Sequence, residues 1–248
     1  MKRFSYYILL FFGLEVCMIN EVANAQDSAN PAKTALRIAK KNTVLLDSIS
    51  QLLVVFNETP ESNSATLVAM EKKNKIWHIV DLPISAGIGR KGFASIGAKR
   101  EGDNLTPTGF FRLGKLFCYE KKVRTKMPFI QATVDDKWID DPNSPDYNHH
   151  VRGETTASSF EKLKIRSDEY KYCMVIKYNM HPVVKGLGSA IFLHLSESQQ
   201  RVNPSSGCVV ITEQDMERLL NWMNPELKPS IIMGNKEILL HGINNKKQ

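Results

Sequence analysis

The chain has 248 residues, 42% of them hydrophobic, with 33 Lys and Arg against 26 Asp and Glu and a net charge of +7. That apolar share excludes a disordered polymer, and the length suffices for one domain with a sizeable core plus a short extension. The basic excess suits an anionic envelope or polymer, but no basic run is interleaved with aromatics, so nucleic acid is not an expected partner.

Residues 1–25, MKRFSYYILLFFGLEVCMINEVANA, have the build of a secretory signal peptide. Lys2 and Arg3 form a basic n-region, Tyr6 to Leu14 is continuously apolar apart from Gly13, and Ala23-Asn24-Ala25 is a small-x-small cleavage pattern. Glu15 stops the apolar run well short of the roughly 20 residues a spanning helix needs. Glu15 also stands just before Cys17, which argues against lipid attachment there. Removing the leader takes away two basic and two acidic residues, so the mature chain keeps its charge. The expected location is the periplasm or cell envelope, with no membrane span after cleavage.

Residues 26–49 start polar and turn weakly helical, and read as a linker with one short packing helix. A β-rich domain over 50–234 follows. "QLLVVF" (51–56), "ATLVAMEK" (65–72) and "IWHIVDLP" (76–83) are apolar or alternating runs between polar turns. In 84–114 the glycines at 87, 89, 92, 97, 102 and 109, with Pro107, mark tight turns between short strands. The G-x-G at Gly87–Gly89 has no helix signal after it, so it is not a nucleotide loop. Residues 133–156 form a long polar connection of the kind that often lines a site. A short helix is predicted over 157–164, capped by Ser158 or Ser159.

"YCMVIKYN" (172–179), "AIFLHL" (190–195) and "CVVI" (208–211) read as buried strands. Thr212 and Asp215 open a helix over 213–223, whose Met216, Leu219, Leu220 and Met223 make one core-facing stripe. Asn224-Pro225 stops it, "SIIMG" (230–234) is the last strand, and 235–248 is a C-terminal tail. The fold class is mainly β, a sandwich or barrel-like closure with a few short helices.

Cys118, Cys173 and Cys208 remain after leader removal, an odd number that leaves at least one thiol unpaired in an oxidising compartment. Whether Cys118 pairs with Cys173 stays open. Cys208 follows Ser205-Ser206-Gly207 at the head of a strand, and His194 ends the preceding one. A thiol attacks an acyl carbon as thiolate, and a neighbouring imidazole can take its proton and return it to the leaving amine. Gly207 permits close approach of substrate, and the amides around 206–208 can face a developing oxyanion. The bland alternative is a buried cysteine and an unrelated histidine. Zinc held by Cys208, His194 and the His149-His150 pair lacks any recognised ligand spacing, so no metal and no cofactor is expected.

"GSAIFLHLSE" (188–197) followed by "SSGCVVIT" (205–212) resembles the active-site signature of the YkuD-type L,D-transpeptidases, which act on bacterial peptidoglycan. "GAKREGDNLTPTGFFRLG" (97–114), "WIDDPNSPDYN" (138–148) and "YKYCMVIKYNMHPVVKGLGSAIFLH" (170–194) are similar to further stretches of that family, in the same order. The resemblance covers roughly residues 50–234. It implies a mostly β catalytic domain in which Cys208 attacks the carbonyl after the L-centre of the third stem-peptide residue, typically meso-diaminopimelate. The terminal D-residue leaves, and an amine of a neighbouring stem takes the acyl group. It also implies His194 as base, oriented by the backbone around Leu195 or Ser196, and acylation by carbapenems. Ser206 stands where many members carry histidine, and Val209, Val210 and Ile211 where many carry Arg or Asn. Ser205, Ser206, Tyr147, Asn148 and Arg152 are the expected contacts to the anionic stem. Two rivals remain: an L,D-carboxypeptidase or amidase using the same pair on water, and a wall-binding protein without catalysis that docks through its basic surface.

Overall fold

In the computed structural model, which describes residues 30–198 and 201–243, strand β1 (Gln51–Asn57) is buried at every position. Burial on both faces is why Leu52 to Phe56 is an unbroken apolar run instead of an alternating one. Leu53 and Val55 point into a barrel, while Leu52, Val54 and Phe56 point outward beneath helices. The predicted leader over 1–25 lies outside the described residues.

Ten strands form one sheet. β1 runs parallel to β13 (Ser230–Asn235), which pairs with β5 (Gly109–Cys118). The path continues through β10 (Tyr172–Ile176), β11 (Phe192–Leu195), β12 (Val209–Ile211), β4 (Ile84–Gly87) and β2 (Ser64–Lys73), and the β1–β2 pairing closes it. Two strands sit off this ring, β3 (Ile76–Ile79) beside β2 and β6 (Phe129–Gln131) beside β5. Closure removes most free edges, so the sheet needs no partner to hide them. The barrel-like, mainly β class expected from sequence is the one observed.

Helix α1 (Pro31–Lys41) covers the outer face of β1. Asn30 caps it, its side chain accepting from the amides of Ala32 and Lys33, and Ala35, Ile38 and Ala39 are buried. The short α2 (Thr43–Leu46) adds Leu46 to the same apolar layer. On the far side of the chain, α3 (Glu213–Trp222) starts where expected: Thr212 Oγ1 accepts from the Asp215 amide at 3.3 Å, and Met216, Leu219 and Leu220 enter the core.

Three expectations need correction. The stretch 157–164 is not a helix but contains β9 (Phe160–Lys162), paired with β7 (Asp136–Ile139) through Trp138–Glu161 and Ile139–Phe160. Ser158 caps nothing helical; its amide and hydroxyl both donate to Asp141 Oδ2. The polar connection 133–156 likewise holds β7 and β8 (His150–Arg152), so these strands build a second, three-stranded sheet in the order β8-β7-β9. Its staple is Asp136, fully buried, which accepts from Thr133, His150 and Arg152. Third, the tail is partly ordered. Lys236–His241 forms α4, capped by Asn235, with Leu239 buried against the α1 layer. Among the described residues no helix is long and apolar enough to cross a membrane.

Candidate active site

Strand parity decides which side chains share a face. β11 and β12 are parallel and in register, Leu193 opposite Val209, His194 opposite Val210 and Leu195 opposite Ile211. Leu193, Leu195, Val209 and Ile211 fill the barrel. The alternate positions Phe192, His194, Cys208 and Val210 therefore face outward, toward Tyr170 and the small sheet. A cavity of about 590 Å³ opens there, with Cys208, His194, Ser205, Ser206 and Gly207 in its lining.

The loop that presents Cys208 is fastened from below. Ser205 bridges to Gly89, its amide donating to Ile88 O at 2.9 Å and its carbonyl accepting from the Arg90 amide at 2.9 Å. The Ser205 hydroxyl donates to Cys208 O at 2.6 Å and accepts from the Gly207 amide at 3.0 Å. Crowding explains the glycines here. A Cβ on Gly87 would sit 2.2 Å from Asn203 O, and one on Gly89 2.5 Å from Asn104 O. At Gly207, with φ +157°, it would meet Leu105 O at 3.1 Å. The G-x-G is thus a packing device between the Cys208 loop and the 104–106 loop. The Gly207 amide, one of those expected to face an oxyanion, is already bonded to Ser205.

Cys208 is 8% exposed and His194 7% exposed. The thiol donates to Ala190 O at 3.2 Å, and its sulfur accepts from the Phe192 amide at 3.3 Å. Burial pushes its pKa up to about 12, only partly offset by the Phe192 amide and the Lys99 charge. His194 Nδ1 lies 3.0 Å from Leu195 O, the backbone contact expected there, and the Tyr170 ring packs edge-on at 5.0 Å. Burial pulls its pKa down to about 4, although the Leu195 and Glu169 carbonyls both favour the charged ring. Both groups are therefore neutral at rest. With Nδ1–H donated to Leu195, Nε2 is the nitrogen able to accept a proton.

Tyr147, Asn148 and Arg152, expected as substrate contacts, are not in the lining. Tyr147 is buried, its hydroxyl donating to Glu101 Oε2 at 2.5 Å and accepting from the Gly188 amide. Asn148 is also buried. It accepts from Trp138 Nε1 and the Ala190 amide and donates to the Tyr178 and Asn179 carbonyls. Arg152 is spent on Asp136. Asn148 still acts on the site, since it fixes Ala190, whose carbonyl receives the thiol. Ala190 itself has φ +51°, a left-handed conformation that costs a non-glycine residue about 1–2 kcal/mol.

Sequence reading missed several charged residues in the cavity. Arg90 donates to Ser206 Oγ at 2.7 Å. Lys99, only 5% exposed, donates to Asp103 and to Arg100 O. Glu101, Asp140, Glu161 and Glu169 add carboxylates. Lys99, Glu101 and Asp140 stand within the quoted KREGD and WIDD stretches, so a signal for them existed; Glu161 arrives only through the unforeseen small sheet. His149 and His150 line a different cavity and do not join Cys208 and His194. Cys118, Cys173 and Cys208 are all free and buried. Cys118 faces the barrel core and Cys173 the opposite side, so the two do not pair.

A sequence model of the YkuD L,D-transpeptidase catalytic domain matches residues 57–246. No curated protein matches in sequence. Among solved structures, Bd1075 of Bdellovibrio bacteriovorus is 14% identical with a TM-score of 0.41, covering 76% of this chain and 49% of that one. The helical cell shape determining protein Pgp2 of Campylobacter jejuni is 14% identical with a TM-score of 0.43, covering 77% and 49%. The chain thus spans about half the length of either structure.

Proposed function

Because the chain belongs to the YkuD family of L,D-transpeptidase catalytic domains, we propose that it is an exported cysteine L,D-transpeptidase that forms or remodels peptidoglycan cross-links. The observation that carries this reading is parity: Cys208 and His194 stand on one outward face of adjacent parallel strands, inside one cavity. Export rests on the leader.

In this reading the Cys208 sulfur attacks the carbonyl after the L-centre of the third stem residue while its proton passes to His194 Nε2. The C–N bond to the terminal D-residue then breaks, and that amine leaves with the proton from His194. The amine of a neighbouring stem attacks the thioester and gives a proton to His194, and the departing sulfur recovers it. A thiol raised to about 12 beside an imidazole lowered to about 4 supports proton transfer concerted with attack over a stored ion pair. The Leu195 and Glu169 carbonyls stabilise the transient imidazolium. Arg90 and Lys99 suit the carboxylates of a stem peptide, and the Glu101, Asp140, Glu161 and Glu169 carboxylates suit an ammonium group. Water needs no such anionic lining, which favours an amine acceptor over hydrolysis.

Intact-mass measurement of residues 26–248 with a carbapenem tests the reading. An adduct should form on wild type, vanish with Cys208→Ala and slow with His194→Ala. With peptidoglycan fragments, cross-linked product supports transfer, and shortened stems without cross-links reassign the site to hydrolysis. No adduct and an unreactive thiol would leave the wall-binding protein as the better account.

A further inference from the structure

A second cavity, about 690 Å³, opens where β5 and β10 pass the β7–β8 hairpin, and it shares no lining residue with the first. Its titratable lining is entirely of one kind: Arg112, Lys115, Lys177, Lys228, His149 and His150. Among the described residues, no carboxylate pairs with Lys115, Lys177 or Lys228. The Arg112 guanidinium is held by neutral oxygens only, donating to Ser48 Oγ, Ser230 Oγ and Lys228 O. The floor is apolar, with Leu113, Met127 and Val175 in it. Gly114 keeps that floor clear, since a Cβ there would come within 3.1 Å of Val175 Cβ and 3.3 Å of Lys177 Cε.

Like charges drawn around one hollow repel each other unless an anion joins them. Arg112 and the three lysines come from three separate segments, β5, the residue after β10 and the turn after α3, so they surround the hollow and do not converge on one point. That spread suits several carboxylates along a chain better than one compact phosphate. We infer that this cavity holds the stem-peptide carboxylates of a peptidoglycan strand, seating the polymer outside the catalytic cavity. The identity of the anion rests on the peptidoglycan reading; the cationic hollow does not.

The test is capture by purified peptidoglycan sacculi stripped of phosphate-bearing polymers, with Cys208→Ala as the starting protein so that nothing is turned over. Adding Lys115→Gln, Lys177→Gln and Lys228→Gln together should weaken capture about tenfold, as expected for three modest ion pairs. Arginine at the same three positions should restore it. Raising ionic strength should weaken the parent more than the glutamine variant. Sacculi with carboxylates converted to amides should bind the parent as weakly as native sacculi bind the glutamine variant. The glutamine changes placed in the Cys208 protein should leave its alkylation rate at wild-type level, which checks the fold. Equal capture by the glutamine variant, equal capture of amidated sacculi, or release of the parent by millimolar inorganic phosphate would overturn the site as stated. A missing carbapenem adduct and an unreactive Cys208, with lysine-dependent capture, would sink the catalytic reading and leave this one standing.

Discussion

Cys208 and His194 are held neutral by burial, against backbone groups that favour their charged forms. Of Cys118, Cys173 and Cys208 only Cys208 opens onto the catalytic cavity, and Cys118 and Cys173 have no exposed surface. Alkylation of the folded protein should therefore modify Cys208 first, confirmed by peptide mapping; labelling of all three at one rate would contradict the assignment. His194→Gln should slow acylation by about 10²–10⁴-fold, the usual loss on removing a general base. The same histidine makes stability depend on pH. The unfolded chain takes up its proton below the ordinary value of 6.5, whereas the folded ring resists down to about 4. Its contribution is thus fully present above 6.5 and is lost as pH falls toward 4, by up to about 3 kcal/mol. Denaturant unfolding at both ends of that window should show a drop that His194→Gln reduces. Ala190 stores strain in its left-handed backbone, so Ala190→Gly should keep or raise the melting temperature and Ala190→Val should lower it.

Among the elements, the small sheet depends on Asp136. Burial opposes its charge, but Arg152, Thr133 and His150 outweigh that and hold the carboxyl well below the usual range. Its contribution persists above the ordinary carboxylate value and is lost only as pH falls below it. Asp136→Ala leaves the Thr133 amide, Arg152 and His150 without their acceptor and should cost about 1–3 kcal/mol, read by denaturant unfolding. This sheet was the least legible part of the sequence. Its strands are short, β8 and β9 only half-buried or exposed, so no apolar period marks them. β1, β10 and the α3 stripe were legible because burial imposes their pattern. α4 was not, since its six residues become helical by docking Leu239 against α1.

For the molecule as a whole, the segment before the barrel is a structural cover. Ala35, Ile38, Leu46 and Ile49 seal the outer face of β1 and β13. Ile38→Ala should cost about 2–5 kcal/mol, and deleting 26–49 should expose that apolar face and cause aggregation, measured by light scattering. The net charge of +7 also has a layout: the two cavities differ in character, one of mixed charge around the thiol, the other uniformly basic. Sequence by itself determined the β-rich class, the apolar faces, the family signature and the nominated pair, because side-chain period and local motifs are short-range properties. Only the tertiary structure decided that His194 and Cys208 share a face, that Tyr147, Asn148 and Arg152 brace the site from outside it, and which charges line it. Those depend on register between strands far apart in the chain and on the free energy of burial, neither of which a local pattern contains.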